Sequence, residues 1–504
     1  IRNQCSWIHS NDYEGATTKA RSLVHMAVAR ACQLEPLKTS TVPVNHSALI
    51  IGGGAAGMTA ALTLADQGFP VHIVEREDKL GGNLHQLRYF VPSNGDNDVI
   101  SPREFLADIV LKVEQHPQIE IHLNTELAET GGFKGNFTST LRQDAKSFQV
   151  QHGAIIVATG GVEYKGKEYN YGQNSNIVTQ LEFENILAST SAADQLPQSV
   201  VMIQCVGPAE KYCSRLCCTT ALKNALKLKE RVPEAQVTIL YRDIRTYGFK
   251  ERIYTEARRA GVRFINFDFD HKPDVTLIES ERLESQLVVR VHEPILGRDI
   301  GLNPDMLVLS NPIIPPQGAE ELATKLKLPL DMDGFFLEAH VKLRPVDFSA
   351  DGVFMAGMAH YPKFLDETIA QAQAAASRAA RILSQETMVT NARVAMVDPQ
   401  LCVGCLTCVR VCPYHVPIVS SEYTGVGEIV GAAFIESAIC HGCGSCASEC
   451  PAKAIQLMHY TDAQTLIKVD ALFNQAILWP ASKDVEESDS AGVDLTNQPN
   501  VQTE

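Results

Sequence analysis

One cysteine pattern occurs twice in the last third of the chain, and it constrains the fold more than any other feature. Each copy reads Cys-x-x-Cys-x-x-Cys-x-x-x-Cys-Pro, and the eight cysteines are Cys402, Cys405, Cys408, Cys412, Cys440, Cys443, Cys446 and Cys450. In such runs three thiolates hold one [4Fe–4S] cluster and the fourth reaches over to a second cluster. The predicted ligand sets are therefore Cys402, Cys405, Cys408 and Cys450 for one cluster, and Cys440, Cys443, Cys446 and Cys412 for the other.

A structural zinc ion is the alternative to an iron–sulfur cluster, since zinc sites also use Cys-x-x-Cys pairs. Two four-cysteine runs with the same spacing favour the clusters over zinc. We therefore expect an α+β ferredoxin domain of the bacterial 2[4Fe–4S] type over residues 391–460, and a protein that moves single electrons.

The composition of the chain further limits the class of protein to which it can belong. A chain of 504 residues has room for about three or four domains, and a net charge of −15 argues against nucleic acid as a partner. No apolar run approaches the ~20 residues of a membrane helix, so no membrane span is expected. All cysteines except Cys5 and Cys32 fall in clustered, metal-type spacings, which indicates a reducing compartment and hence the cytoplasm.

Residues 48–75 carry a dinucleotide-binding fingerprint. The apolar run Ala48-Leu49-Ile50-Ile51 leads into Gly52-Gly53-Gly54-Ala55-Ala56-Gly57, and a second apolar run over 71–74 ends at Glu75. The glycines allow the turn, the approach to a pyrophosphate and close helix packing, and the helix N-terminus faces the phosphates. An acid at the ribose position favours FAD or NAD over NADP.

Three further segments select FAD. They are Leu80-Gly81-Gly82, the run 154–161 and the run 352–358, and they resemble flavin-contacting segments of flavoproteins with two dinucleotide-binding domains. That family commonly has an acidic residue at the position of Met358. The alternative to flavin binding is that the glycines of these segments only form turns. The predicted FAD-binding residues are Gly52, Gly54, Ala55, Ala56, Gly57, Glu75, Arg76, Gly81, Gly82, Asn83, Ala158, Thr159, Gly160, Gly357 and Met358.

A second nucleotide-type domain lacks the expected phosphate loop. Its first strand, near residues 200–204, runs into a loop and helix start that contain Cys205, Cys213, Cys217 and Cys218. Four thiolates suffice for a third [4Fe–4S] cluster. A redox-active disulfide and buried structural thiols are the alternatives, although adjacent cysteines such as Cys217 and Cys218 rarely pair with each other.

This cysteine loop, the run Tyr241-Arg242-Asp243-Ile244-Arg245-Thr246-Tyr247-Gly248 and the opening Gln4-Cys5-Ser6-Trp7-Ile8-His9 resemble HdrA, the iron–sulfur flavoprotein of heterodisulfide reductase. The resemblance extends from residue 1 to about 460. It implies an α/β fold: a two-dinucleotide-binding-domain flavoprotein of the thioredoxin-reductase-like type, followed by the ferredoxin domain. It also implies an oxidoreductase subunit that relays or bifurcates electrons in anaerobic metabolism such as methanogenesis.

The same resemblance implies partners and further site residues. The partners are the HdrB and HdrC subunits of heterodisulfide reductase, a linker subunit of hydrogenase or formate dehydrogenase, free ferredoxin, and a second copy of the chain in a homodimer. Cys205, Cys213, Cys217 and Cys218 would ligate a cluster near the flavin, and Lys223 would lie near the flavin N5. The alternative for Lys223 is a solvated helix lysine. Cys5 is either a further cluster ligand or a structural thiol.

The chain departs from the fullest family pattern in two places. The upstream cluster-bearing domain of longer members is expected to be absent. The second ferredoxin module inserted in those members is also not expected, because no cysteine lies between Cys218 and Cys402. Bifurcation by this chain is therefore less expected than relay. Two other functions stay open: an NAD(P)H-dependent reductase resembling the small subunit of glutamate synthase, and a non-catalytic electron-conducting scaffold.

The predicted domain organisation follows from these motifs. It comprises an N-terminal helical segment (1–45), an FAD-binding domain in two parts (46–165 and 301–390), the nucleotide-type domain with the cysteines (166–300), the ferredoxin domain (391–460), and a C-terminal extension (461–504). Residues 484–504 hold six acidic residues and no Lys or Arg, so part of this extension is predicted to be disordered.

Overall fold

The computed structural model describes residues 1–37, 41–91, 101–144, 146–280, 283–389 and 393–473. The chain separates into two compact units, one of residues 41–389 and one formed by the residues before 41 and after 389. The tail predicted to be disordered, 484–504, lies outside the described residues. Within the described ranges, no helix combines the length and apolar character needed to cross a bilayer.

The elements follow one another along the chain as short strands and mostly short helices. The strands are β1 (Thr41–Pro43), β2 (Ala48–Ile51), β3 (Val71–Val74), β4 (Ile119–His122), β5 (Thr125–Phe133), β6 (Asn136–Gln143), β7 (Lys146–His152), β8 (Ala154–Val157), β9 (Val162–Glu163), β10 (Ile177–Thr179), β11 (Ser199–Ile203), β12 (Gln236–Tyr241), β13 (Arg263–Asn266), β14 (Asp274–Ser280), β15 (Leu283–Glu293), β16 (Arg298–Leu302), β17 (Met306–Leu309), β18 (Ile313–Ile314), β19 (Val353–Met355), β20 (Thr387–Val389), β21 (Ala395–Val397), β22 (Ile418–Thr424), β23 (Val430–Phe434) and β24 (Ile455–Leu457). The helices are α1 (Tyr13–Ala31), α2 (Ala55–Ala65), α3 (Pro102–Gln115), α4 (Gln180–Ser189), α5 (Cys217–Arg231), α6 (Glu251–Arg259), α7 (Ala319–Leu326), α8 (Leu365–Leu383), α9 (Thr407–Val411), α10 (Ser445–Ser448) and α11 (Asp462–Phe473).

The first sheet of the larger unit is parallel and has the order β19-β8-β2-β3-β4. Every residue of β2 and β8 is buried, as expected for strands that are covered on both faces. Alanine-rich helices α2 and α8 pack on one face, and the antiparallel sheet β5-β6-β7 contributes to the core on the other. The chain order reverses between β2 and β8, which is where α/β sheets of this kind bind dinucleotides.

The second sheet of this unit is also parallel, with the order β10-β17-β11-β12-β13. Its central strand β11 leads through the cysteine loop into α5. Strand β17 belongs to this sheet although it lies beyond residue 300, where the sequence placed the end of the nucleotide-type domain. The reason is long-range pairing, since Val200 is aligned with Met306 in the register of β11 and β17.

The smaller unit has two antiparallel ribbons, β21 with β24 and β22 with β23. Its core consists mainly of small side chains and cysteines, including Cys402, Cys408, Cys446 and Cys450. Helices α1 and α11 pack together here: His25 Nδ1 lies 3.0 Å from the carbonyl of Ala471, and the Gln464 amide donates to the carbonyl of Gln33 at 3.1 Å.

Candidate cofactor sites

A deep cavity of about 1090 Å³ opens in the larger unit at the carboxyl ends of β2, β3 and β8. Its volume is slightly above the usual range of about 300–1,000 Å³ for small-molecule sites. The cavity is lined by every FAD-binding residue predicted from the sequence except Gly57 and Gly357. The structure therefore brings together segments that are up to three hundred residues apart in the chain.

The glycines after β2 differ in what surrounds them. A Cβ at Gly52, which has a φ of +113°, would lie 2.3 Å from the carbonyl oxygen of Ala158, and a Cβ at Gly57 would lie 1.8 Å from that of Gly52. A Cβ at Gly54 would meet no atom within 4 Å, and Gly54 lines the cavity. Two of these glycines thus allow backbone packing, and the third leaves open space for a ligand.

A second glycine pair closes the same edge of the cavity. Gly81 has a φ of +123°, and its N–H donates to the carbonyl of Gly53 at 2.9 Å. A Cβ at Gly82 would lie 3.3 Å from the Cα of Gly54. The Asn83 amide donates to the carbonyl of Gly161 at 2.7 Å, which links this segment to the loop after β8.

Glu75 follows β3 and is held in one orientation. Its Oε2 accepts from the Gly53 N–H at 2.6 Å, and its Oε1 accepts from the Glu77 N–H at 3.0 Å. The residue is only 8% exposed and lines the cavity. Each carboxylate oxygen keeps a lone pair that could accept from a ribose hydroxyl.

Two polar atoms on the cavity wall are suited to a bound molecule. Thr159 Oγ1 and Asn311 Oδ1 are buried and have no hydrogen-bond partner among the described residues. Buried polar atoms are normally paired, so a ligand with donor and acceptor groups would satisfy them. Together with the open space at Gly54, this fits a bound dinucleotide.

Two ionisable residues of the cavity were missed by the sequence analysis. Burial lowers the pKa of Lys363 to about 8 and raises the pKa of Glu163 to about 7, although Thr179 Oγ1 donates to Glu163 at 2.9 Å. Both pKa values lie near neutrality, where groups can exchange protons. No local pattern marks either residue, because their burial arises from segments distant in the chain.

Lys223 is a buried residue on α5 and also lines the cavity. Its Nζ donates to Glu184 Oε2 at 2.6 Å and to the carbonyl of Tyr89 at 3.0 Å. Burial lowers the pKa of Lys223, and the neighbouring Glu184 carboxylate opposes that shift. The lysine is therefore a partner in a buried ion pair rather than a solvated helix residue, and its position near the flavin N5 stays a prediction.

The four cysteines after β11 lie close together at the end of the second sheet. Burial raises the pKa of the Cys217 thiol, and the nearby thiols of Cys218, Cys205 and Cys213 raise it further. Burial likewise raises the pKa of Cys218 to about 12. Cys217 also lines the large cavity, so the cysteine loop and the predicted flavin site adjoin.

Long-range contacts shape this loop. Cys205 has a φ of +59° and Arg215 a φ of +64°, both in the left-handed region that few side chains adopt. The hydroxyl of Tyr361 donates to the carbonyl of Cys213 at 2.7 Å, and the Ile313 N–H donates to Ser214 Oγ at 3.1 Å. The loop is thereby fixed to segments beyond residue 300.

In the smaller unit a small cavity is lined by the four cysteines of the first predicted set, Cys402, Cys405, Cys408 and Cys450. In the second set, burial raises the pKa of Cys446 to about 11, and the nearby thiols of Cys440, Cys412 and Cys443 add to the shift. The structure thus brings the cysteines of each set near one another, and their ligation of clusters stays a prediction.

Backbone amides point at several of these sulfurs. The Ala433 N–H donates to Cys402 Sγ at 3.3 Å, and the Ala395 N–H donates to Cys440 Sγ at 3.4 Å. Such bonds to ligand sulfurs help to set the reduction potential of iron–sulfur clusters. Cys5, in this same unit, is buried at 1% exposure, and its role stays open.

Fold and sites together define a flavin-type oxidoreductase with iron–sulfur sites. Residues 46–203 match the family model for pyridine nucleotide-disulphide oxidoreductases, and residues 395–451 match the model for a 4Fe-4S dicluster domain. The predicted fold class is therefore confirmed.

Individual relatives narrow the class to one family. The chain is 33% identical to the HdrA iron-sulfur protein of the CoB–CoM heterodisulfide reductase of Methanocaldococcus jannaschii, over 94% of this chain and 84% of the relative. It is 31% identical to HdrA of the H(2):CoB-CoM heterodisulfide,ferredoxin reductase of Methanothermobacter thermautotrophicus, over 84% of this chain and 77% of that protein. Thioredoxin reductase of Lactococcus lactis is a similar solved structure, with a TM-score of 0.47 and 17% identity over 67% of this chain and 99% of that one. The chain belongs to the HdrA family of heterodisulfide reductase subunits.

Proposed function

We propose that this chain relays electrons inside a cytoplasmic complex of the heterodisulfide reductase type. The observation that carries the proposal is the cysteine group at the end of β11, where a pyridine-nucleotide reductase would hold phosphate. Cys217 belongs to this group and also lines the large cavity. A redox site next to the predicted flavin site suits a relay, whereas a hydride-accepting enzyme needs a second nucleotide site.

FAD, when bound, takes up two electrons and releases them singly, which is why it suits a position among one-electron clusters. The chain would hold its pyrophosphate between the loop around Gly54 and Gly82, and its ribose at Glu75. Lys223, fixed by Glu184, would place a positive charge beside the flavin.

We further propose three [4Fe–4S] clusters. Two would use the ferredoxin-type sets, and the third would use Cys205, Cys213, Cys217 and Cys218. All twelve thiols are unpaired with one another in the described part of the chain, as ligation requires. Electrons would enter or leave through the cysteine-rich smaller unit.

The names of the relatives suggest partners for this chain. Relatives carry names that refer to the CoB–CoM heterodisulfide, ferredoxin, H₂ and F420H₂. We propose that this chain exchanges electrons with HdrB-like and HdrC-like subunits, with a donor linker protein or ferredoxin, and that it forms a homodimer within the complex. The substrate-reducing site would then lie on another subunit.

An anaerobic kinetic experiment tests this division of labour. The purified chain, with full flavin and iron, is mixed separately with NADH, NADPH and a reduced viologen dye, and flavin absorbance is followed. We expect bleaching by the dye and none by the nucleotides. Electron flow to the heterodisulfide should appear only after HdrB and HdrC are added.

Two results would contradict the proposal. Rapid bleaching by NADH or NADPH would favour the reductase like the small subunit of glutamate synthase. Reduction of the heterodisulfide by the chain alone, at the rate of the complex, would place the substrate site on this chain.

A further inference from the structure

Two histidines and a glutamate converge at the edge of the first sheet, on strands β3 and β4. His72 Nδ1 lies 3.3 Å from His122 Nε2 and 3.2 Å from Glu120 Oε2. His122 Nε2 lies 3.8 Å from Glu120 Oε1. Neither histidine belongs to the predicted flavin or cluster sites.

From this geometry we propose that His72, Glu120 and His122 form a binding site for a divalent transition-metal ion, with zinc as the best fit. Ligand atoms at about 2.0–2.2 Å from a tetrahedral zinc ion lie about 3.3–3.6 Å from one another. The 3.3 Å between the two ring nitrogens lies in that range, and the carboxylate approaches His72 with Oε2 at 3.2 Å and His122 with Oε1 at 3.8 Å. Two imidazoles and one carboxylate are also a ligand set that zinc uses when its fourth position holds water.

Strand pairing places the three side chains. β3 and β4 are parallel neighbours in which His72 is aligned with Glu120 and Val74 with His122. Alternate residues of a strand point to the same face, so Glu120 and His122 share one face of β4. Because the backbone fixes both strands, the site is formed before an ion arrives.

The surroundings also favour a cation. The side chains of His72 and His122 are 20% and 10% exposed, so both rings are held in a largely enclosed position beside the Glu120 carboxylate. One cation can accept a lone pair from each of the two ring nitrogens and from the carboxylate at the same time. The Glu120 side chain is 65% exposed, which leaves a path for the ion and room for a water ligand.

Neighbouring rings complete the site without competing for the ion. Phe148 packs against His122 with ring centroids 5.3 Å apart. His152 is buried nearby, but its two ring nitrogens are 2.8 Å from Ser139 Oγ and 3.1 Å from the carbonyl of Ala154. Bound zinc would join the edge strand β4 to β3 and stabilise the sheet that carries the proposed flavin site.

Zinc binding is measured on anaerobically prepared protein with full flavin and iron, so that the cluster cysteines are occupied. Protein is equilibrated with zinc chloride and desalted, and retained zinc is determined by mass spectrometry together with the melting temperature. The variants are Glu120→Gln, which keeps a largely exposed side chain of the same size, and His72→Gln. His116→Gln is the control, because His116 Nε2 lies 3.4 Å from Asp66 Oδ1 at a separate position.

We expect one more zinc ion per chain in the wild type and the His116→Gln control than in either site variant. Affinity in the site variants should fall by about 100-fold or more, since even residues that only support a ligand contribute about 10–100-fold. Added zinc should raise the melting temperature of the wild type but not of Glu120→Gln. Equal zinc content and equal melting shifts in wild type and Glu120→Gln would overturn the proposal, whatever the fate of the electron-relay function.

Discussion

The two parallel sheets of the larger unit have the same plan, and they differ at the loop after the central strand. In the first sheet β2 ends at Ile51 and α2 begins at Ala55, after a glycine turn that leaves open space. In the second sheet β11 ends at Ile203 and α5 begins only at Cys217, and the long loop brings Cys205 and Cys213 close to the cysteines at the start of the helix. We therefore propose that this strand–loop–helix position serves a nucleotide in the first sheet and an iron–sulfur cluster in the second.

The two helices after these loops are also held differently. Helix α2 packs through small side chains and bare backbone, as Gly57 illustrates. Helix α5 carries a buried polar face in which Lys223 pairs with Glu184 and the Asn224 amide donates to Gln180 Oε1 at 2.8 Å. Helix α2 is thus held by close backbone packing, and α5 by buried polar contacts.

The largest expected effect comes from removing a thiol of the cysteine loop. Cys213→Ala should lose one whole cluster, or about four irons per chain, and keep its flavin, because the other three thiolates cannot complete a [4Fe–4S] site. Iron analysis and flavin absorbance measure both quantities. Cys32→Ala, at an exposed cysteine outside every predicted set, is the control and should lose nothing. Full iron content in Cys213→Ala would mean that the loop holds no cluster.

A second substitution tests the polar anchor of α5. Lys223→Met should lower the free energy of unfolding by about 3–5 kcal/mol, because it leaves the Glu184 carboxylate buried without its cation. Adding Glu184→Gln should restore much of that loss. Urea unfolding measures the effect, with Lys227→Met on the more exposed side of α5 as the control. A cost below about 1 kcal/mol for Lys223→Met, the level of a surface pair, would show that the ion pair does not anchor the helix.

The glycine loop offers a matched pair of substitutions. Gly57→Ala should destabilise the unit by up to about 3 kcal/mol, because its Cβ would meet the backbone carbonyl of Gly52. Gly54→Ala should leave stability without flavin nearly unchanged but weaken flavin binding, because its Cβ would enter the cavity. Thermal unfolding and flavin titration separate the two effects. Similar stability losses in both variants would contradict the roles assigned to the two glycines.

The smallest expected effect is a pH dependence that stems from Glu163. Its pKa is raised by burial to about 7, so between about pH 4.5 and 7 the unfolded chain releases this proton while the folded chain retains it. Stability therefore falls as the pH rises through that window, by about 2 kcal/mol from this group. Glu163→Gln should show a correspondingly flatter profile between about pH 5 and 7 in urea unfolding. Parallel profiles for the two proteins would show that the carboxyl ionises normally.

The sequence predicts the features that depend on residues close together in the chain. It misses those that depend on contacts between distant segments. The glycine turn after β2 and the two ferredoxin-type runs are local spacings, and the structure brings their residues together. The pairing of β17 with β11 and the burial of Glu163 and Lys363 depend on segments far apart in the chain, so no local pattern predicts them. The group of His72, Glu120 and His122 was missed for the same reason, because only the register of β3 and β4 joins it.

The central claim is that the loop after β11 holds a cluster where a nucleotide would otherwise bind. The claim is tested most directly by measuring the iron, sulfide and flavin content per chain of anaerobically purified protein. We predict about twelve irons, about twelve sulfides and one FAD per chain, from three four-iron clusters. About eight irons with one FAD would contradict the claim, because the ferredoxin-type sets would then account for all the iron and the four cysteines of the loop would be redox-active or structural thiols.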